Sequence, residues 1–144
     1  MKNNRARKKL REGGAISGIS LLYPSPEIAE EAARVGFDFV VLDWQHGPWS
    51  EGTLNAALAC FTHLETIPIV RLPGADAAWI GKVLDLGAFG VIIPMVETVE
   101  QCEAIVRAAK FPPQGGRSAT GLRTAYFAAG DAIGKARVAL QVRL

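Results

Sequence analysis

Apolar residues gather along this chain in five short runs, at residues 16–22, 37–42, 67–72, 89–95 and 138–142, each rich in Val, Ile, Leu and Phe. Runs of that length without polar alternation predict strands buried on both faces, the pattern of a parallel sheet. Between them the period becomes helical. Ser25 caps one helix, with Pro26 in its first turn, Ile28, Ala32 and Val35 sharing a face, and Gly36 as the stop. Ser50 opens a second helix through Leu54, Leu58 and Phe61, and Asp76 opens a third through Ile80, Val83 and Leu84 to Gly87. Thr98 and Gln101 form a capping box for a fourth, with Val99, Cys102, Val106 and Ala109 on one side until Pro112 and Pro113 end it.

Strand and helix alternate at intervals of roughly 22 to 29 residues, which predicts parallel βα units and an α/β fold. No linker or shift of composition divides the chain, so residues 1–144 read as a single domain. Residues 111–135 break the rhythm, and "PPQGG" with "GLRTAYFAAGDAIGK" reads as a long loop holding a short helix. A loop of that length between units is more often functional than not.

Composition narrows the class. With 49% hydrophobic and 21% charged residues, the chain is globular rather than disordered. The net charge of +2 conceals a basic head: residues 1–12 sum to +5. Without an aromatic or basic cluster to extend it, that head reads as a solvated lead-in helix, not a nucleic-acid surface. "AISGISLLY" has the length of a signal-peptide core, but Gly13, Gly14 and the helix start at "PSPEIAEE" argue against one, and no stretch suits a bilayer. Cys60 and Cys102 lack metal-ligand spacing and read as reduced thiols of a cytoplasmic protein.

The candidate chemistry lies where "FVVLDWQHGPW" turns from strand to loop. In parallel α/β folds the ligand sits beyond the carboxyl ends of the strands. Asp43 and His46 fall at such an end, as do Arg71, closing "IPIVR", and Glu97 after "IPMV". An aspartate accepting from one imidazole nitrogen would fix the tautomer and make the other nitrogen a better base. The planar fork of Arg71 suits a carboxylate or enolate. His63, near a helix end without such neighbours, reads as surface, and Thr98 as a cap.

"GFDFVVLDWQHGPWS", "PIVRLPG", "LDLGAFGVIIPMVETVEQCEAIVRAAKFPPQGGRS" and "ALQV", in that order, resemble the HpcH/HpaI aldolases, metal-dependent pyruvate aldolases related to the citrate lyase β-subunit group. The resemblance runs from about Asn4 to Val142. It implies a partial (β/α)8 TIM barrel, about the first five βα units, and a carbon–carbon lyase that cleaves 4-hydroxy-2-oxo acids to pyruvate and an aldehyde. On it His46, oriented by Asp43, moves the proton of the aldol hydroxyl; Arg71 holds the 2-oxo acid; Gln141 lines the pocket. A divalent cation, Mg2+, Mn2+ or Co2+, polarises the ketone. Gly115, Gly116 and Arg117 resemble a family turn.

Three departures qualify that implication. Arg143 stands where the family carries a metal-binding glutamate, and the second carboxylate ligand would fall beyond Leu144; Gln45 occupies a position where many relatives carry glutamate. Replacing a carboxylate by a guanidinium reverses the charge a hard cation requires, so the chain is expected to lack a metal site of its own. Five strands also fall short of a barrel that takes about 250 residues. The expectation is a truncated relative, homo-oligomeric, binding a small 2-oxo acid and neither nucleic acid nor membrane. The alternative is an inactive remnant or assembly module.

Overall fold

The computed structural model describes residues 4–118 and the main chain of residues 137–142. Five strands, β1 (Gly18–Leu21), β2 (Phe39–Asp43), β3 (Ile67–Arg71), β4 (Gly90–Val96) and β5 (Arg137–Val142), form one parallel sheet in chain order. Helix α1 (Arg5–Arg11) precedes β1; α2 (Pro26–Val35), α3 (Glu51–Cys60), α4 (Ala77–Asp85) and α5 (Val99–Ala109) follow β1 to β4 in turn. Sequential parallel strands, each followed by a helix, are the wall of a (β/α)8 barrel.

The helix boundaries follow from local chemistry. The Ser25 hydroxyl accepts the Ile28 N–H at 3.1 Å, and Gly36 ends α2 at φ 105°, a conformation that favours glycine. Asp76 accepts from the Ala78 and Trp79 N–H groups at the start of α4, and reciprocal capping boxes open α3 and α5.

One side of the sheet meets the helices. Val40, Leu42, Val70, Leu72, Val91 and Ile93 pack there with Leu54, Leu58, Phe61, Ile80, Val83 and Ile105 in one core. Complete burial of such side chains contributes roughly 1.5–3 kcal/mol each. Because side chains alternate along a strand, Val41 and Asp43 of β2 and Ile69 and Arg71 of β3 occupy the opposite side, which lines the interior of a barrel.

Two helix faces differ from the periodicity. In α2 the buried residues are Ala29, Ala32 and Ala33, while Ile28 is 51% and Val35 75% exposed. In α5 Ile105 and Ala109 are buried, with Cys102 against the core, and Val99 and Val106 lie outside. Helices α3 and α4, by contrast, bury the faces their sequences predict.

The amino ends of the strands are tied to α1. Asp38 is buried, accepts the Ser17 N–H at 2.9 Å and pairs with Lys9 at 3.0 Å. The Ser17 N–H foremost, then Lys9, holds its carboxyl below the usual carboxylate range despite burial. The basic head is therefore a helix with one lysine committed to the fold rather than wholly solvated.

Candidate active site

At the other end of the sheet, Asp43 and Arg71 are the last residues of β2 and β3 and stand directly opposite each other in register. The Arg71 carbonyl accepts the Trp44 N–H at 2.9 Å, so the ladder continues past the strand ends and fixes both backbones. Arg71 Nε–H donates to Asp43 Oδ1 at 2.9 Å and its Nη2 to Oδ2, a two-point fork. Asp43 is fully buried, whereas the Arg71 side chain is 23% exposed.

Asp43 also accepts the main-chain N–H of His46 at 3.2 Å, and its carbonyl accepts the Gly47 N–H at 2.9 Å. The expected contact is thus altered in kind. Asp43 holds the main chain of His46, not its ring, because Arg71 stands in register across the strand gap and occupies both carboxylate oxygens. Burial pushes the Asp43 carboxyl upward, but the Arg71 fork and the His46 N–H outweigh it and hold the group below the ordinary range. Arg71 is correspondingly held charged by the Asp43 bonds.

His46 is exposed at this rim, three residues beyond Asp43 and tied to it through its main-chain N–H. The structure therefore gathers Asp43, His46 and Arg71 at one strand end. Gly47 explains the tightness of the turn: a Cβ there would collide with the Leu22 carbonyl and stand 2.7 Å from the Asp43 carbonyl oxygen. Only glycine admits such an approach.

The other candidates separate. Glu97 is exposed beyond β4, its main chain held by Gln101. Gln45 is half-buried in the turn, and His63 is exposed in the short 3-10 turn Phe61–His63. Gln141 belongs to β5, but its side chain, with Arg143 and Leu144, lies outside the described residues, as does residues 119–136 of the loop. Arg117 proves structural. It is buried, pairs with Asp85 and stacks on Phe111 at 4.6 Å, while Gly116 and Arg117 donate main-chain N–H groups to the Arg107 and Lys110 carbonyls that α5 leaves open.

Met95, missed by sequence reasoning, takes a left-handed φ of 55° in β4 beside a register shift between Ile93 and Val96. No residue type in "IPMVET" signals it. As for metal, among the described residues no group of three or more His, Cys, Asp or Glu side chains could hold an ion, and both Asp43 oxygens are engaged. The described donors do not fit a divalent cation. Nor is any described helix long and apolar enough to cross a membrane.

Comparison with known proteins accords with this geometry. The family model described as HpcH/HpaI aldolase/citrate lyase matches residues 18–142. A 4-hydroxy-2-oxovalerate aldolase of Novosphingobium aromaticivorans is 42% identical, covering 86% of this chain and 48% of that protein. A hydroxypyruvate/pyruvate aldolase of Pseudomonas aeruginosa is 38% identical over 79% and 42%. The crystal structure of an HpcH/HpaI aldolase from Desulfitobacterium hafniense superposes with a TM-score of 0.74 at 33% identity, covering 80% of this chain and 45% of that one. The chain spans about half the length of the relatives it matches. The strand-end cluster, the parallel arc and these matches agree: the chain belongs to the HpcH/HpaI aldolase/citrate lyase family.

Proposed function

We propose that this chain carries the 2-oxo-acid-binding and proton-transferring part of a pyruvate aldolase site. The observation that carries the reading is the Asp43–Arg71 fork. Asp43 engages one edge of the guanidinium, through Nε and Nη2, and the remaining N–H groups form a second planar edge for the carboxylate and enolate oxygen of a 2-oxo acid. Asp43 fixes that edge in place and also the turn bearing His46.

In the cleavage direction, His46 takes the proton of the C4 hydroxyl of a 4-hydroxy-2-oxo acid. The C3–C4 bond breaks, the aldehyde leaves, and the electron pair remains on C3 as an enolate opposite Arg71. Protonation at C3 gives pyruvate. The relatives named 4-hydroxy-2-oxovalerate aldolase and 2-keto-3-deoxy-L-rhamnonate aldolase support this substrate class. The family's chemistry depends on a divalent metal, which would polarise the ketone; the described residues do not form its site.

Pyruvate release from a 4-hydroxy-2-oxo acid, with Mg2+ or Mn2+ supplied, tests the reading. The unsubstituted protein should exceed His46→Ala by about a hundredfold or more, the range of general acid–base catalysis. Equal background rates would remove catalysis. A second reading, binding of a 2-oxo acid without cleavage, is favoured by Arg143 standing where the family pattern has a carboxylate. The exposed Ile28, Val35, Val99 and Val106 support self-association.

A further inference from the structure

We infer that Trp49 is a positioning residue that holds the His46 turn at a fixed height by fastening it to the end of β1; this rests on the reading of His46 as the proton-transferring group. His46 is exposed, so the place of its ring is inherited from its main chain. That main chain is gripped on one side by Asp43, at the His46 and Gly47 N–H groups. The other side is gripped by β1. Trp49 is buried and its indole Nε1–H donates to the carbonyl of Leu21, the last residue of β1, at 3.1 Å. One residue on, the Leu22 carbonyl presses so closely on Gly47 that no side chain fits.

Pro48 joins the two contacts. Its ring fixes φ, so Gly47 and Trp49 are stiffly coupled, and a displacement at the indole reaches His46 through two residues. Packing alone would be served by any large apolar ring at position 49. The N–H is the feature packing does not require, because it satisfies a buried carbonyl at the strand end.

Trp49→Phe separates the two roles by keeping an aromatic ring and removing the donor. The probe is the Cε1–Hε1 signal of each histidine by NMR, with His63 at the opposite end of the sheet as internal reference. The inference expects the His46 signal to move while that of His63 stays. It also expects exchange of the pyruvate C3 protons, where the chain catalyses it, to slow by about tenfold to a hundredfold, the effect of a misplacement near 1 Å. An unmoved His46 signal in a folded Phe variant overturns it.

Should that variant not fold, the unsubstituted protein serves. Its Trp49 indole N–H signal should shift in step with the His46 ring as the imidazole is titrated, and should stay still in His46→Gln. An indole signal indifferent to His46 overturns the inference. These signals are read without turnover, so a failed pyruvate-release assay removes the lyase reading alone, and an unmoved ring in an active protein removes only the role of Trp49.

Discussion

Replacing Arg71 by methionine should convert Asp43 from a support of the fold into its largest local liability. The carboxylate is fully buried and accepts three hydrogen bonds, two from Arg71 and one from the His46 N–H. Removing the guanidinium strands a negative charge that water cannot reach, a defect that costs about 3–5 kcal/mol. The lower end applies, since the His46 N–H remains. Asp43→Asn should cost less, about 1–3 kcal/mol, because Arg71 is 23% exposed and can be rehydrated. A domain stability of roughly 5–15 kcal/mol leaves both variants measurable.

The pH dependence carries the sign. In the unsubstituted protein the Asp43 carboxyl lies below its ordinary value, so its contribution is complete above the unfolded value of about 3.9 and is lost on further acidification. In Arg71→Met burial is no longer opposed by the fork, the carboxyl rises above its unfolded value, and the destabilisation grows as pH increases. Urea unfolding between about pH 5 and pH 8 should therefore show Arg71→Met recovering stability toward acid relative to the parent. A loss below about 1 kcal/mol, the scale of an exposed pair, with an unchanged pH slope would refute the reasoning.

Gly47→Ala should lower stability by about 1–3 kcal/mol, since the intruding methyl meets the Leu22 and Asp43 carbonyls rather than a yielding side chain, and thermal unfolding with His46 NMR checks both loss and displacement. Arg117→Met should cost about 1–3 kcal/mol by thermal unfolding, because it removes the Asp85 pair, but should leave oxalate affinity unchanged; a weakened affinity would return Arg117 to the site. Lys9→Met should free α1 first, read as faster amide exchange over residues 5–11 with protection of β2 retained; uniform loss across the sheet would contradict the local clip.

Strand positions, caps and the strand-end cluster were legible because each rests on short-range chemistry: apolar runs, Ser25, Ser50, Asp76 and Thr98 before helices, and polar residues where runs stop. Partner choice was not. The hydrogen bond of Asp43 to the main chain of His46 and its fork with Arg71 depend on the register of β2 against β3, which spacing along one strand does not reveal. The buried faces of α2 and α5 differ for a related reason: periodicity finds a stripe of large apolar residues, whereas tertiary packing selects the face, burying Ala29, Ala32 and Ala33 in α2 and Ile105 with Ala109 in α5. Nothing in the spacing around Trp49 signals that its indole N–H meets the carbonyl of Leu21, a contact made across the gap between two strands' loops.

The central claim is that the free edge of Arg71, set by Asp43, receives a 2-oxo acid. Calorimetric titration of oxalate, with and without Mg2+, into the unsubstituted protein and Arg71→Lys tests it most directly, because lysine keeps the charge and loses the fork. The account predicts binding to the unsubstituted protein and a loss of about tenfold or more in Arg71→Lys, corresponding to roughly 1.4 kcal/mol. Equal affinity of the two proteins, or no binding by either, would contradict it.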